Sequence, residues 1–191
     1  MKFVPTPLAG VVVVEPEPHA DERGVFARVW CVDEFAAAGL DARFVQSSIS
    51  SNRRKHTVRG LHYALAPSRE AKLVRAITGA IFDVVVDLRE GSPTFGTSYS
   101  MELDAALGRA VYIPAQCAHG FQTLAPETEV LYCMTDVYRP ELARTWHWRS
   151  SDFAIRWPSY DDITISDADA NAAAFERSHP VGRDGSGDRP R

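Results

Sequence analysis

Cysteine is scarce and unpatterned in this 191-residue chain: Cys31, Cys117 and Cys133 are an odd number with no C-x-x-C spacing. That excludes a disulfide framework and a thiolate zinc site, and it fits a reducing, cytoplasmic compartment. Long apolar runs are missing as well. The uninterrupted ones are a handful of residues, as at 11–14, far short of the roughly 20 of a membrane-spanning helix. The first seven residues carry one positive charge and two prolines without an apolar stretch of signal-peptide length, so neither membrane insertion nor export is expected. There is no excess of positive charge: 21 Lys and Arg against 25 Asp and Glu leave a net charge of −4, which gives no electrostatic footprint for DNA or RNA. No His-x-His pair occurs among His19, His56, His62, His119, His147 and His179, which argues against a metal site. No Gly-x-Ser-x-Gly or phosphate-loop motif is found. Neither an internal repeat nor a mid-chain Gly/Ser/Pro-rich linker is visible, so residues 1–176 read as one domain.

What is present is alternation. Over residues 80–89, Phe82, Val84, Val86 and Leu88 fall on one face and Asp83, Asp87 and Arg89 on the other, which predicts a half-buried strand. Similar short β-rich stretches occupy residues 11–14, 25–30, 44–50, 72–77, 98–103, 110–113 and 129–135. Turn signals separate them, such as Thr78-Gly79, Glu90-Gly91-Ser92-Pro93 and Leu107-Gly108. Many short strands joined by tight turns predict a mainly β sandwich or barrel. Helices are expected only at residues 33–38, stopped by Gly39, and at about 166–175, where Ser166 can serve as N-cap and Asp167 and Asp169 load the first turn. Residues 177–191 hold Gly, Pro, Arg and Asp with one aliphatic side chain, and read as a disordered tail.

Several titratable residues sit in apolar, strand-like context, where burial is costly unless they are paired or used. His62, in Arg59-Gly60-Leu61-His62-Tyr63, is of the residue type that serves as a general base near neutral pH; its plainer reading is a satisfied structural histidine. Lys72 can stabilise a developing oxyanion, or lie along the sheet with its ammonium in water. His119 sits between the small residues Ala118 and Gly120. Tyr132 carries a phenol able to donate or accept a proton, although a strand tyrosine is commonly packing. Asp169 is either a solvated helical carboxylate or the group that orients a base histidine. Arg23 and Arg59 offer planar forks for phosphates, or are simply exposed.

Taken in order, seven segments resemble the dTDP-4-dehydrorhamnose 3,5-epimerase family of the cupin superfamily. They are Asp21-Glu22-Arg23-Gly24-Val25-Phe26, Phe44-Val45-Gln46, Arg59-Gly60-Leu61-His62-Tyr63, Ala71-Lys72-Leu73-Val74-Arg75, the run from Phe82 to Gly96, Ala118-His119-Gly120-Phe121, and Tyr138-Arg139-Pro140-Glu141. The resemblance implies a cupin-type jelly-roll barrel with a few short peripheral helices. It implies epimerisation of a dTDP-4-keto-6-deoxyhexose at carbon 3, carbon 5 or both, without cofactor or metal. His62 matches the base, Asp169 its orienting carboxylate, Tyr132 the acid on the opposite face, and Lys72 the cation at the keto oxygen. Arg59 and Gln46 match residues around the diphosphate, Tyr138 the aromatic stacked on thymine, and His119 a residue of the pocket wall. Arg23 matches a residue that reaches into the neighbouring subunit's site, so a homodimer is implied.

The chain also departs from the family pattern. Arg28 and Ala143 stand where relatives often carry Glu, and Ala168 where they often carry Lys. The proton-transfer set is intact while polar ligand contacts are altered. A single-site epimerase of a rarer deoxysugar, or a sugar-nucleotide binding module without turnover, therefore remain alternative readings. Arg59 and His62 are three apart, so a regular strand would send them to opposite faces; both can line one pocket only if the strand is irregular near Gly60 or one of them points from an edge.

Overall fold

The structure, a computed structural model, describes residues 1–177. Thirteen strands run β1 (Lys2–Pro5), β2 (Val12–Glu15), β3 (His19–Asp21), β4 (Gly24–Phe26), β5 (Gln46–Asn52), β6 (Val58–Ala64), β7 (Lys72–Thr78), β8 (Ala80–Asp87), β9 (Ser98–Asp104), β10 (Ala110–Ile113), β11 (Cys117–Thr123), β12 (Thr128–Met134) and β13 (Ala143–Thr145). Helix α1 spans Val32–Ala37 and α2 spans Asp167–Ala170. Two antiparallel sheets, ordered β1-β2-β10-β7-β12-β5 and β13-β6-β11-β8-β9, face each other. The expected mainly β, cupin-type jelly roll is what the chain adopts, with β3 and β4 forming a separate hairpin.

Period-2 alternation sorts side chains between three apolar layers. Val74, Val85, Leu103, Phe121 and Val130 fill the space between the sheets. On the outside of the five-stranded sheet, Leu61, Val84 and Val86 pack beneath Trp146, Trp148, Phe153, Trp157 and Phe175 of the C-terminal segment. On the outside of the six-stranded sheet, Val14, Leu73 and Tyr112 pack beneath Phe35 of α1. Each fully buried Leu or Phe of this kind contributes about 1.5–3 kcal/mol, so both outer layers are integral to the fold.

This layering corrects the half-buried reading of residues 80–89. Asp83 and Asp87 are completely buried, because both faces of β8 are covered. Asp87 is satisfied by Arg89, whose Nε and Nη2 donate to it at 2.8 and 2.7 Å, and by the hydroxyls of Ser92 and Thr94.

Three other expectations change. The strand expected over residues 25–30 stops at Phe26. Beyond it the Val29 carbonyl accepts from Nη2 of the buried Arg75 at 2.9 Å, which takes that carbonyl out of any ladder. The second helix is a single turn: Ser166 caps it as expected, its side chain accepting from the Asp169 N–H. The chain then leaves the helix and buries Phe175 against Phe153, ring centroids 4.5 Å apart. Finally, β1, β3, β6, β11 and β13 lie outside the stretches that the sequence marks as strands. Of the expected tail only Arg177 is described, donating to the Gly96 carbonyl at 2.8 Å; residues 178–191 lie outside the described residues.

Candidate active site

The site is built from inward-facing strand positions at one end of the sandwich. On β7, Lys72 shares the interior parity of Val74; on β12, Tyr132 shares that of Val130. On β5, Gln46 opposes Met134 of β12. From the facing sheet, β6 contributes His62, which lies directly across from His119 of β11 and Thr145 of β13.

The local irregularity that lets β6 serve this site is a β-bulge. Between His119 and Phe121 the partner strand advances two residues, while β6 advances three, from His62 to Arg59. The extra residue resets the alternation, so Val58, Leu61 and Tyr63 all pack in the outer layer. Arg59 and His62 both turn inward, Arg59 Nε donating to Asn52 Oδ1 of β5 at 2.8 Å. Gly60 has φ +118°, and a Cβ there would lie 2.6 Å from Gly120 Cα and 2.7 Å from the His119 carbonyl oxygen. Only glycine fits this position.

A cleft of about 390 Å³ opens at this end, lined by His62, Asp169, Lys72, Tyr132, Gln46 and Tyr138 among others. His62 Nε2 lies 2.8 Å from Asp169 Oδ1. The second carboxylate oxygen accepts the Gly60 N–H at 3.2 Å. Burial alone would push the Asp169 carboxyl up, but the His62 hydrogen bond and charge, the Gly60 amide and Ser166 together hold it below the usual carboxylate range. A charged Asp169 bonded to Nε2 fixes the tautomer, so Nδ1 of His62 is free to act as a base. The Tyr132 phenol is pushed up strongly, first by burial and then by the charge of Asp83, and so stays protonated at working pH. His119, buried, pairs with the buried Asp83 at 2.7 Å and meets the Tyr132 ring edge-on with centroids 5.8 Å apart. Lys72 Nζ pairs with Glu70 Oε1 at 2.6 Å.

Six of the nine residues anticipated from sequence thus line one cleft. Arg59 and His119 stand beside it, touching Asn52 and Tyr132 respectively. Tyr138 is tied to Gln46, whose Oε1 accepts the Tyr138 N–H at 3.0 Å. Arg23 is elsewhere: it sits at the turn of the β3–β4 hairpin, its side chain 89% exposed and paired with Asp21. The departures divide as well. Ala143 and Ala168 line the cleft, while Arg28 pairs with Glu34 at 2.8 Å away from it. Sequence reasoning missed Glu70, Asn52 and the pairing role of Asp83. Glu70 stands two residues before Lys72, a same-face spacing that could have signalled it.

The whole chain is similar to proteins of named activity. The family model described as dTDP-4-dehydrorhamnose 3,5-epimerase matches residues 5–177. The chain belongs to the dTDP-4-dehydrorhamnose 3,5-epimerase family. It is 40% identical over 182 residues to dTDP-4-dehydrorhamnose 3,5-epimerase of Methanothermobacter thermautotrophicus, covering 94% of this chain and 97% of that one. Among solved structures it matches dTDP-4-dehydrorhamnose 3,5-epimerase from Elizabethkingia anophelis with a TM-score of 0.88 at 38% identity, covering 92% and 96% of the two chains. It also matches a 4-keto-6-deoxy sugar epimerase from the novobiocin biosynthetic gene cluster of Streptomyces spheroides, with a TM-score of 0.85 at 37% identity and 91% and 86% coverage. Members of this family are isomerases, epimerising dTDP-sugars in deoxysugar biosynthesis.

Proposed function

We propose that this chain inverts the stereocentre at carbon 3, carbon 5 or both of a dTDP-4-keto-6-deoxyhexose by proton transfer through an enolate. One observation carries the reading: His62 projects from the five-stranded sheet with Asp169 of α2 bonded to it, while Tyr132 and Lys72 project from the six-stranded sheet, into the same cleft. A sugar ring held between the sheets has a base on one face and an acid on the other. His62 Nδ1 takes the proton from the carbon next to the ketone, breaking the C–H bond, and the electron pair moves to the carbonyl oxygen. Lys72 meets the negative charge that builds there. Asp169 stabilises the imidazolium that forms. Tyr132 delivers its proton to the opposite face of the same carbon, and the configuration is inverted. Gln46 and Arg59 serve the diphosphate, Tyr138 stacks on the thymine, and His119 backs the pocket wall, with no cofactor or metal in any step.

The test is proton NMR of dTDP-4-keto-6-deoxyglucose incubated with the protein in deuterium oxide. Loss of the carbon-3 and carbon-5 proton signals, abolished in His62→Ala, is the expected result. Loss of one signal alone identifies a single-site epimerase, the reading that Ala143 and Ala168 in the cleft would favour by changing how the ring is held. Saturable binding with no exchange at either carbon overturns the reading in favour of a binding module.

We further infer a homodimer in the cytoplasm. Val25 and Phe26 on the β3–β4 hairpin are 70% and 77% exposed, an apolar surface suited to a second copy of the chain, which would receive Arg23 in its cleft. The three cysteines are all free, in keeping with a reducing compartment. Light scattering is expected to give the mass of two chains, halved in Phe26→Asp with a raised KM; a one-chain mass for the unsubstituted protein would overturn the dimer, and an unchanged two-chain mass in Phe26→Asp would overturn this hairpin as its interface.

A further inference from the structure

We propose that Glu70 is a positioning residue for the reaction, acting through Lys72. The Glu70 carboxylate meets the Lys72 ammonium at 2.6 Å, and each side chain is only 13% exposed. Both line the cleft with His62 and Tyr132. A lysine is a compact charge on a stem of four carbons, and left alone in a cleft it samples many positions. Committing one of its three N–H donors to a fixed carboxylate removes that freedom and leaves the others for a keto oxygen.

The backbone that carries Glu70 is itself held from both sides. The Glu70 N–H donates to Ser68 Oγ at 3.2 Å, and Ser68 donates in turn to Asp136 Oδ2 at 3.2 Å. The Arg69 N–H reaches the same Asp136 oxygen at 3.3 Å. On the other side, the Ala71 N–H donates to Thr135 Oγ1 at 2.8 Å, and that hydroxyl donates to the Arg69 carbonyl at 3.1 Å. Thr135 and Asp136 directly follow β12, the strand that carries Tyr132. Glu70 is therefore registered against the strand of the acid, and through Glu70 so is the cation.

The ion pair also has a consequence for which state of the substrate Lys72 favours. A neutral ketone competes poorly with a carboxylate for the ammonium, whereas an enolate oxygen competes well. The interaction is then stronger in the transition state than in the ground state, the condition for raising kcat rather than lowering KM.

The proposal rests on Lys72 meeting the keto oxygen, and the test separates the two. Steady-state kinetics and solvent-deuterium incorporation are measured for Glu70→Ala, Glu70→Gln, Glu70→Asp, Lys72→Met and the Glu70→Ala/Lys72→Met double variant, with dTDP affinity and melting temperature as folding controls. Glu70→Ala is expected to lower kcat roughly 10- to 100-fold, the scale of a misplaced catalytic group, with KM within about twofold. Glu70→Gln, whose amide oxygen still accepts from the ammonium, is expected to regain most of the rate. Glu70→Asp, which withdraws the acceptor by one methylene, is not. The double variant is expected to be no slower than Lys72→Met alone, as for two residues acting through one interaction. Should Glu70→Ala not fold, the contrast between Gln and Asp decides. A wild-type kcat in Glu70→Ala, a rise in KM at constant kcat, equal rates for Gln and Asp, or additive losses in the double variant would each overturn the role of Glu70. Near-wild-type kcat in Lys72→Met would instead overturn the role of Lys72.

Discussion

Arg59 and His62 share the inner face of β6 although three positions separate them, because the bulge opposite Gly120 inserts one residue between them. Val58, Leu61 and Tyr63 go to the outer layer for the same reason.

Gly60→Ala tests that geometry. Its Cβ would fall within 2.7 Å of the backbone of Gly120 and His119, at a φ of +118°. The fold is expected to lose on the order of 3 kcal/mol, measured by urea denaturation, with kcat falling further than the unfolded fraction explains. A substitution that is neutral in both would show that β6 can straighten without cost.

Asp169→Asn keeps the side chain's shape but removes the charge that sets the His62 tautomer. We expect kcat to fall on the order of 10²–10³-fold while dTDP binding, followed by calorimetry, is unchanged. A loss confined to KM would assign Asp169 to substrate binding instead.

Tyr132→Phe separates the two proton transfers. His62 still removes the substrate proton and returns a solvent deuteron to the same face, so exchange continues while epimer formation drops by roughly 10²–10⁴-fold. Loss of exchange and epimerisation in parallel would mean that the phenol takes part in the first step.

Acid stability reports on Asp87. Burial alone would raise its carboxyl, but Arg89, Ser92 and Thr94 outweigh that and hold it at about 2, against an ordinary 3.8. A depressed folded-state value stabilises the fold above the unfolded value, and the benefit disappears as pH falls toward the folded one. About 2 kcal/mol of unfolding free energy should therefore be lost between about pH 4 and pH 2. Asp87→Asn should start less stable and lack that part of the slope. An identical slope in the variant, from denaturation curves across this range, would contradict the assignment.

The sequence-level reading went furthest where alternation and local caps decide the structure. Residues 72–77, 98–103 and 110–113 are strands, and Ser166 caps a helix. It failed where tertiary context overrides local pattern. In β6 the bulge breaks the period of two, and in β11 all seven residues are buried, leaving no alternation to detect. Residues 27–30 lose a carbonyl to Arg75, and residues 171–175 abandon the helix because burying Phe175 is worth more than another turn. In the cleft, residue type and apolar context singled out His62, Lys72 and Tyr132, and the family resemblance supplied their roles. Their partners were harder to see. Asp83 looked like a solvent-facing residue because the second covered face of β8 is invisible in one dimension, and Asn52 meets Arg59 only across the sandwich.

Asp169 reaches His62 from 107 positions further along the chain, on a segment that also roofs the outer layer with Phe175. During synthesis the proposed base is therefore made long before the carboxylate that pairs with it. A nascent or truncated chain whose final segment has not docked would hold an exposed cleft without a poised imidazole. Catalytic competence would then mark the completion of folding, and no half-finished protomer would deprotonate nucleotide sugars prematurely.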